Sequence, residues 1–322
     1  MNDLDNDLES SPPLPPLRHE AFFYTSLDEY LAATTTFVRS ALTRGRATLV
    51  AVPQPRLDAI RGALGDSTKL AHFADLAETG RNPSCIIPCI LADFCDHDHA
   101  LPVAVICESM WPERTRSEKI AGIHHEALVN LAFAEQSMHI LCPYDAGRHQ
   151  RDVLEAATHT HPILTWPHGG EVNPRYRDPL EVARACAQHL EPVPREAHGM
   201  PYGPGGLRHV RHEIRRAAEA SGLDRQKVDD LELAVSEVVT NTAVHTGQPG
   251  YIRWWHTEPT FTCEIRDRGQ LRDPLAGRRL ADPTSPTGRG LLIAHQLCDV
   301  SDLYFDADGT TVRLQMYTSG RS

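Results

Sequence analysis

The sequence predicts two domains of different class: an α/β domain with a largely parallel sheet, then an α+β domain with helices on one face of a mostly antiparallel sheet. Its 322 residues are enough for about two domains. The segment 191–206 (EPVPREAHGMPYGPGG) is rich in Pro and Gly, which predicts a linker. Strand-like and helix-like segments alternate before this linker. After it, two helix-like segments come first and most strand-like segments follow in pairs. We therefore expect a disordered tail at 1–17 and domains at 18–190 and 207–317.

In the first domain, four apolar runs are predicted strands: Ala47–Val52, Cys85–Phe94, Leu101–Cys107 and Met138–Cys142. Their nearly continuous apolarity indicates a sheet covered on both faces. The predicted helices are the amphipathic segments Leu27–Thr43, Arg56–Leu64, Ser117–Glu135 and Arg151–His159. No glycine-rich phosphate loop follows Ala47–Val52, so ATP hydrolysis through a P-loop is not expected.

The second domain begins with two predicted helices, Leu207–Ala220 and Lys227–His245, and continues with strands at Tyr251–His256 and Phe261–Asp267. A polar loop at 270–286 suits a mobile lid over a nucleotide. A helix from Arg289 to Leu297 and a hairpin of Val300–Phe305 and Thr311–Met316 complete the expected sandwich.

Composition restricts the partners and the location. Asp and Glu outnumber Lys and Arg by 43 to 32, and the net charge of −11 disfavours direct nucleic-acid binding. No apolar run is long enough to span a bilayer, so no membrane contact is expected. The acidic, proline-rich start lacks a signal-peptide pattern, and the scattered cysteines are typical of reduced core thiols, so we expect a cytoplasmic protein. Neither the histidines nor Cys85 and Cys89 have a convincing metal-site spacing.

Three short motifs in the second domain carry candidate chemistry. Glu237, Asn241 and His245 lie near one face of a predicted helix, where an amide oxygen can bind Mg²⁺ and a carboxylate can orient or deprotonate a hydroxyl. Asp267 shares the inward parity of its strand, and Gly269 would let an adenine base approach the backbone. The run 287–291 (TGRGL) places glycines at a helix start, where free N–H groups favour phosphate. Each motif alone is also common as a polar stripe, a strand end or an ordinary helix start.

Together these motifs form a more specific pattern. In order, ELAVSEVVTNTAVH, IRDRG, TGRGLLIAHQLCD and DGTTVRL resemble the GHKL (Bergerat-fold) ATPase superfamily, in particular the anti-sigma-factor serine/threonine kinases. The resemblance implies an ATP site in which Glu237 is the catalytic carboxylate and Asn241 the Mg²⁺ ligand. The further ATP-binding residues that it implies are His245, Asp267, Gly269, Gly288, Arg289, Gly290, Leu291 and Thr310 (or Thr311).

A second resemblance concerns the first domain. The segments HHEALVN (124–130), ILCPYD (140–145) and THTHP (158–162), with Asn173, resemble the MEDS sensory domain, a RecA-like fold without its P-loop. The resemblance implies sensing of an undefined signal. The candidate pocket residues, at predicted strand or helix ends, are Glu108, Glu126, Asn130, Tyr144, Asp145 and His161. For each of them, a satisfied polar group in the core is an equal alternative.

The sequence therefore predicts a sensory domain joined by a flexible linker to an ATP-binding serine/threonine kinase that uses ATP and Mg²⁺. Its expected partners are a STAS-type anti-sigma-factor antagonist, a sigma factor, or both; the oligomeric state stays open, with a homodimer as one option. One alternative is a non-catalytic, ATP-binding partner-switch module. Another is a sensor histidine kinase, suggested by His212 in RHEIR (211–215). Only 29 residues separate His212 from Asn241, which leaves no room for the dimerisation hairpin of that class.

Overall fold

A computed structural model describes residues 17–97, 102–203, 205–246, 249–269, 273–279, 289–306 and 308–318, with only the backbone described at 97 and 243–246. Gly288 and the side chain of His245 lie outside this description. The elements of the first domain are β1 (Leu17–Tyr24), α1 (Leu27–Thr43), β2 (Ala47–Val52), α2 (Arg56–Leu64), β3 (His72–Asp75), α3 (Asp93–His97), β4 (Val103–Cys107), α4 (Arg116–Ala132), β5 (Met138–Asp145), α5 (Arg151–Thr160), β6 (Ile163–Trp166), β7 (Gly169–Val172) and α6 (Pro179–Cys186).

The described strands of the first domain form one sheet in the order β3-β2-β4-β5-β1-β6-β7. Every pairing in it is parallel except that of β6 with β7. All residues of β4 are buried, as expected for a strand covered on both faces. The predicted α/β class with a largely parallel sheet is confirmed.

The predicted strand at Cys85–Phe94 is wrong. The chain there is helical, with a 3₁₀ turn at Pro83–Cys85, a π-helical turn at Ile87–Ala92 and then α3. Asn82 starts this segment by accepting a hydrogen bond from the Ser84 N–H at 3.1 Å. Pro88 has no N–H to donate to a ladder, which disfavours a central strand, and a short apolar run by itself does not distinguish strand from helix.

The second domain contains β8 (His198–Tyr202), α7 (Leu207–Ala220), α8 (Arg225–Thr246), β9 (Gly250–Thr257), β10 (Thr260–Asp267), α9 (Gly290–Leu297), β11 (Val300–Asp306) and β12 (Gly309–Tyr317). Its described strands form an antiparallel sheet in the order β11-β12-β10-β9-β8. Val210 and Ile214 of α7 and Val235 of α8 pack with Ile252 and Cys263 of the sheet in one core. The predicted α+β class is confirmed.

The predicted linker at 191–206 contains a strand. β8 pairs with β9 at the edge of the second sheet, where Pro201 is tolerated because an edge residue need not donate to a second neighbour. The carbonyl of Glu191 accepts a hydrogen bond from Arg313 of β12 at 2.9 Å. Residues 198–202 and Glu191 of this segment are therefore bound to the second domain, which corrects the expectation of a flexible connection.

The outer face of the second sheet packs against the first domain. Tyr304 of β11 lies in an apolar cluster with Ile120 of α4 and Cys186 of α6. Val300 and Tyr317 form a second cluster with Ala121 of α4. The two domains thus share a buried interface centred on α4.

A buried polar network crosses this interface. Asp302 Oδ1 of β11 lies 2.7 Å from His124 Nδ1 of α4 and accepts a hydrogen bond from Arg278 at 2.6 Å. Arg278 also donates to Ser84 Oγ of the first domain at 2.9 Å. Burial alone would raise the pKa of Asp302, but His124 and Arg278 hold it well below its usual range. The carboxylate is therefore ionised and paired on both sides of the interface.

The described part of the predicted lid is held by the same interface. Leu275, which belongs to the same described segment as Arg278, is buried in the apolar core of the first domain. Asn82 of the first domain donates to the carbonyls of His295 and Cys298 at 2.7 and 3.2 Å, which caps the C-terminal end of α9. Residues 273–279 are thus docked, contrary to the expected mobile lid, whereas 270–272 and 280–286 lie outside the described residues.

No helix within the described ranges has both the length and the apolarity that a bilayer crossing requires.

We expect Arg278→Ala to destabilise the folded chain by about 3–5 kcal/mol, because it leaves the buried carboxylate of Asp302 with an unpaired side. Arg279→Ala is the matched control: the neighbouring side chain is 67% exposed and lies 3.9 Å from Asp273, so its loss should cost less than about 0.5 kcal/mol. Chemical denaturation of both variants measures the difference. Equal stabilities would contradict a structural role of this network.

Candidate functional site

Helix α8 positions the first pair of predicted site residues. The helix begins after Asp224, whose carboxylate accepts a hydrogen bond from the Lys227 N–H at 2.9 Å. Its buried apolar face docks on the sheet, and this leaves Glu237 and Asn241 half-buried. They lie one turn apart, as their spacing predicts.

The start of α9 lies directly against this pair. A Cβ at Gly290 would be 2.7 Å from Glu237 Oε2 and 3.0 Å from Asn241 Nδ2. The absence of a side chain at Gly290 therefore lets the two polar side chains lie directly against the first turn of α9 in this arrangement. Arg289 before it is exposed, and Leu291 after it packs on the core. The first and third sequence motifs thus meet in space.

Asp267, at the end of β10, forms the second part of the site. Thr242 of α8 donates to Asp267 Oδ2 at 2.8 Å, and the Gly269 N–H donates to Oδ1 at 2.7 Å. Tyr202 of β8 in turn donates to Thr242 at 3.1 Å. The half-buried carboxylate keeps acceptor capacity for a further donor, such as an exocyclic amine. Sequence reasoning did not identify Thr242 or Tyr202, although Thr242 adjoins Asn241 in the same motif.

The hairpin between β11 and β12 closes against Asp267. Thr310 pairs with Asp267 in the sheet and donates to the Gly269 carbonyl at 2.7 Å. Gly309 has a φ of +142°, and a Cβ there would be 1.9 Å from the Asp267 carbonyl oxygen, so this tip requires glycine. Of the two threonines considered, Thr310 therefore contacts this site, whereas Thr311 pairs with Arg266.

These residues form one site with two chemically different ends. Glu237 and Asn241 provide carboxylate and amide oxygens, which suit Mg²⁺. The N-terminal turn of α9 beside them presents backbone N–H groups, which suit phosphate. Asp267 and Gly269 provide an acceptor and an accessible backbone at the other end. The donor set therefore fits a magnesium–adenine nucleotide.

In the first domain, Glu108 and Asp145 lie at the carboxyl edge of the parallel sheet, after β4 and at the end of β5. Tyr30 donates to Glu108 Oε2 at 2.8 Å, and Arg56 Nη2 lies 3.4 Å from Asp145 Oδ2. The Arg56 guanidinium lies 4.6 Å from the centre of the Tyr30 ring. Burial raises the pKa of Glu108 to about 8, although the Tyr30 hydrogen bond and Arg56 oppose this shift.

Sequence reasoning missed Arg56 and Tyr30 as members of this group. The position of Arg56 could have identified it, because Arg56 follows β2 at the point where related α/β domains carry a phosphate-binding loop.

The other four candidate pocket residues lie deeper in the first domain. Asn130 Oδ1 lies 3.1 Å from His19 Nδ1, and the ring of Tyr144 lies 5.6 Å from that of His161. Glu126 is 2% exposed on the buried side of α4. The six predicted residues thus form two separate groups, an edge group and an interior group.

Comparisons with known proteins agree with the two architectures. Residues 18–162 match the MEDS family, described as the MEthanogen/methylotroph, DcmR Sensory domain. Residues 200–316 match the histidine kinase-like ATPase domain. No curated protein matches this chain.

One similar solved structure contains the RsbU and RsbW domains of Rv1364c from Mycobacterium tuberculosis. It is 20% identical, with a TM-score of 0.29, over 39% of this chain and 32% of that one. The match spans about a third of that protein's length, and we base no argument on it. The two family matches show that this chain carries a MEDS domain followed by a histidine kinase-like ATPase domain.

Proposed function

We propose that this protein is a bacterial regulator of the anti-sigma-factor type. Its second domain binds ATP and phosphorylates a Ser or Thr of a STAS-type anti-sigma-factor antagonist, sequesters a sigma factor, or does both. The observation that carries this proposal is the convergence of Glu237 and Asn241 on Gly290, with Asp267 at the other end of the same site. The match to the histidine kinase-like ATPase family and the order of the four motifs support it.

Each residue has a definite task in this reaction. Asp267 accepts the exocyclic amine of adenine, and Gly269 lets the base approach the backbone. The amide oxygen of Asn241 holds Mg²⁺, which neutralises phosphate charge when it is bound. Glu237 orients the substrate hydroxyl and accepts its proton as the γ-phosphoryl moves to that oxygen and ADP leaves. Catalysis then consists mainly of positioning and charge stabilisation.

The remaining motif residues complete the nucleotide site. We assign phosphate binding to the backbone of Gly290 and the side chain of Arg289, and Leu291 holds the first turn of α9 in place; Gly288, which the resemblance adds to this group, lies outside the described residues. Thr310 lies at the edge of the site beside Asp267 and Gly269.

The first domain controls this site through the docked interface. The segment 273–279 lies between Asp267 and α9 in the chain, and Arg278 fixes it to Asp302 and the first domain. A signal that moves α4 would change the position of this segment. Control requires that the signal binds the two arrangements with different affinity.

Glu237→Ala should keep ATP binding but lower phosphoryl transfer by roughly 10²–10⁴-fold, because the transfer loses its proton acceptor. Asn241→Ala should weaken ATP binding and its Mg²⁺ dependence. Glu219→Ala, which removes a carboxylate on the exposed side of α7, is the control for folding and surface charge. The measurement combines calorimetry with labelled ATP and a STAS-domain antagonist from the same genome.

The same assay separates the three functions. Acid-stable phosphate on the antagonist supports the proposal. ATP binding without transfer to any tested antagonist indicates the partner-switch module, and acid-labile phosphate on His212, which is exposed on α7, indicates a histidine kinase. Absence of ATP uptake at millimolar concentration by the folded protein contradicts the whole proposal.

Gly290→Ala should lower transfer by roughly 100-fold with little loss of stability, because its methyl group would displace the flexible ends of Glu237 and Asn241. Gly62→Ala is a suitable control: it also lies in a helix, and nothing would lie within 4 Å of the added Cβ. Single-turnover rates and melting temperatures of both variants test this. A fully active Gly290→Ala variant would show that the pair does not act at this position.

We also propose that the edge group around Glu108 and Arg56 senses the signal, and the protonation state of Glu108 is the property of this group that can be tested without knowing the signal. The pKa of Glu108 is raised from 4.5 to about 8, so the folded state binds this proton more tightly than the unfolded state. The resulting stabilisation is complete below pH 4.5 and is lost as the pH rises through about 8.

Glu108→Gln cannot ionise and should therefore gain stability relative to the unmodified protein as the pH rises through this range. The slope should approach roughly 1.4 kcal/mol per pH unit, measured by denaturation at several pH values. Glu113→Gln, at a carboxylate that is 61% exposed, should show no such trend. Parallel pH profiles for all three proteins would contradict a buried, neutral Glu108.

A further inference from the structure

Four side chains with metal-binding atoms meet in the interior of the first domain. They come from β1, α4, β5 and the residue after α5: His19, Glu126, Cys142 and His161. All four are between 0% and 2% exposed, and their ligand atoms lie within 4.8 Å of one another. We propose that these four residues bind one Zn²⁺ ion. This proposal is independent of nucleotide binding in the second domain.

The spacing of the ligand atoms matches a tetrahedron. Glu126 Oε2 lies 3.2 Å from His19 Nε2, 3.4 Å from His161 Nε2 and 3.7 Å from Cys142 Sγ. Cys142 Sγ lies 3.4 Å from His19 Nε2. Zinc bonds of about 2.0–2.3 Å in tetrahedral geometry put neighbouring ligand atoms about 3.3–3.6 Å apart. An ion can therefore occupy the centre with only small movements of the side chains.

The surrounding hydrogen bonds orient both imidazoles for metal binding. His19 Nδ1 lies 3.1 Å from Asn130 Oδ1, and His161 Nδ1 lies 2.9 Å from the Ala157 carbonyl oxygen. The amide orientation of Asn130 is fixed, because its Nδ2 donates to the Thr160 carbonyl at 2.8 Å. Both partners are acceptors, so each Nδ1 carries the proton and each Nε2 presents its lone pair to the centre.

The other contacts also direct ligand atoms inwards. Ser109 Oγ hydrogen-bonds to Glu126 Oε1, which leaves Oε2 as the oxygen that faces the two histidines. His161 is 0% exposed, and its Nε2 lies 3.4 Å from Glu126 Oε2 without the geometry of a hydrogen bond. A buried polar atom in this state is costly, and a cation at the centre would satisfy it.

The donor set selects zinc among the common metals. Two imidazoles and a thiolate disfavour Mg²⁺ and Ca²⁺, which prefer oxygen ligands. A divalent ion neutralises the two charges of the thiolate and the carboxylate, so the filled site carries no net charge in the interior. Four protein ligands leave no position for substrate, which is typical of a structural site. The ion would join β1 and β5 to α4, the helix that carries His124 to the domain interface.

Metal content tests the site directly. The full chain, expressed without an affinity tag that binds metals, should contain about one zinc per molecule by plasma emission spectroscopy. Expression with Co²⁺ should give the intense visible bands of tetrahedral cobalt and a thiolate-to-cobalt charge-transfer band. Less than about a tenth of an equivalent of zinc, together with no such bands after cobalt expression, overturns the proposal. So does copper or nickel in place of zinc.

A matched pair of cysteine variants assigns the thiolate. Cys142→Ala should lose the charge-transfer band and most of the metal. Cys107→Ala should keep both, because Cys107 is equally buried in the same apolar core but lies outside the cluster. Loss of metal in both variants, or in neither, would contradict the assigned ligand.

Asn130→Ala should reduce the zinc affinity without abolishing zinc binding. It should weaken zinc binding by about 10–100-fold, measured by competition with a chromophoric chelator, because His19 loses its orienting acceptor. Unchanged affinity in a folded Asn130→Ala protein would contradict the proposed orientation of His19. Should a variant fail to fold, the zinc content and cobalt spectrum of the unmodified chain still decide the proposal.

Discussion

The buried carboxylate of Asp302 is the constraint on which the arrangement of the two domains depends. It is 2% exposed, and its partners come from α4 of the first domain and from the segment between β10 and α9. Such an ion pair gains little net stability, because desolvation offsets most of the attraction. We infer that its effect is on specificity, because a docking of the sheet that moved Asp302 away from His124 would leave this buried charge without its partner in the first domain. The position of Arg278, and with it the docking of residues 273–279, follows from this requirement.

Much of the second domain could be predicted from sequence, since its information is local. The helical repeat of α8 places Glu237 and Asn241, four residues apart, on one face of the helix. The alternation of side chains between the two faces of β10 places Asp267 on the face that the helices cover. The contacts that hold the site against the first domain could not be predicted in this way. Arg278 stands in a polar, proline-rich stretch and is typical of a surface loop by composition, yet its partners lie 24 and 194 residues away in the chain.

In the first domain, too, contacts between residues that are distant in the chain could not be predicted from the sequence. Strand ends predicted the meeting of Glu108 and Asp145, because parallel strands end at one edge of the sheet. The same reasoning grouped Glu126, Asn130, Tyr144 and His161 with them, whereas the structure places these four side chains deeper in the first domain. Their true neighbours, His19 and Cys142, are polar positions inside apolar strands, 123 residues apart in the chain. A histidine or cysteine in such a run cannot be distinguished from ordinary core packing until the register of β1 with β5 is known.

Asn82 has a consequence for how these domains can be recombined. Its amide supplies the hydrogen-bond donors that the carbonyls at the carboxyl end of α9 lack, so a helix of the histidine kinase-like ATPase domain is completed by a residue more than two hundred positions earlier in the chain. Replacing the first domain by a different sensor domain would remove the donors of Asn82 from the carboxyl end of α9. It would also expose the face of the second sheet that packs on α4. Either half could therefore be exchanged only together with the matching surface of the other.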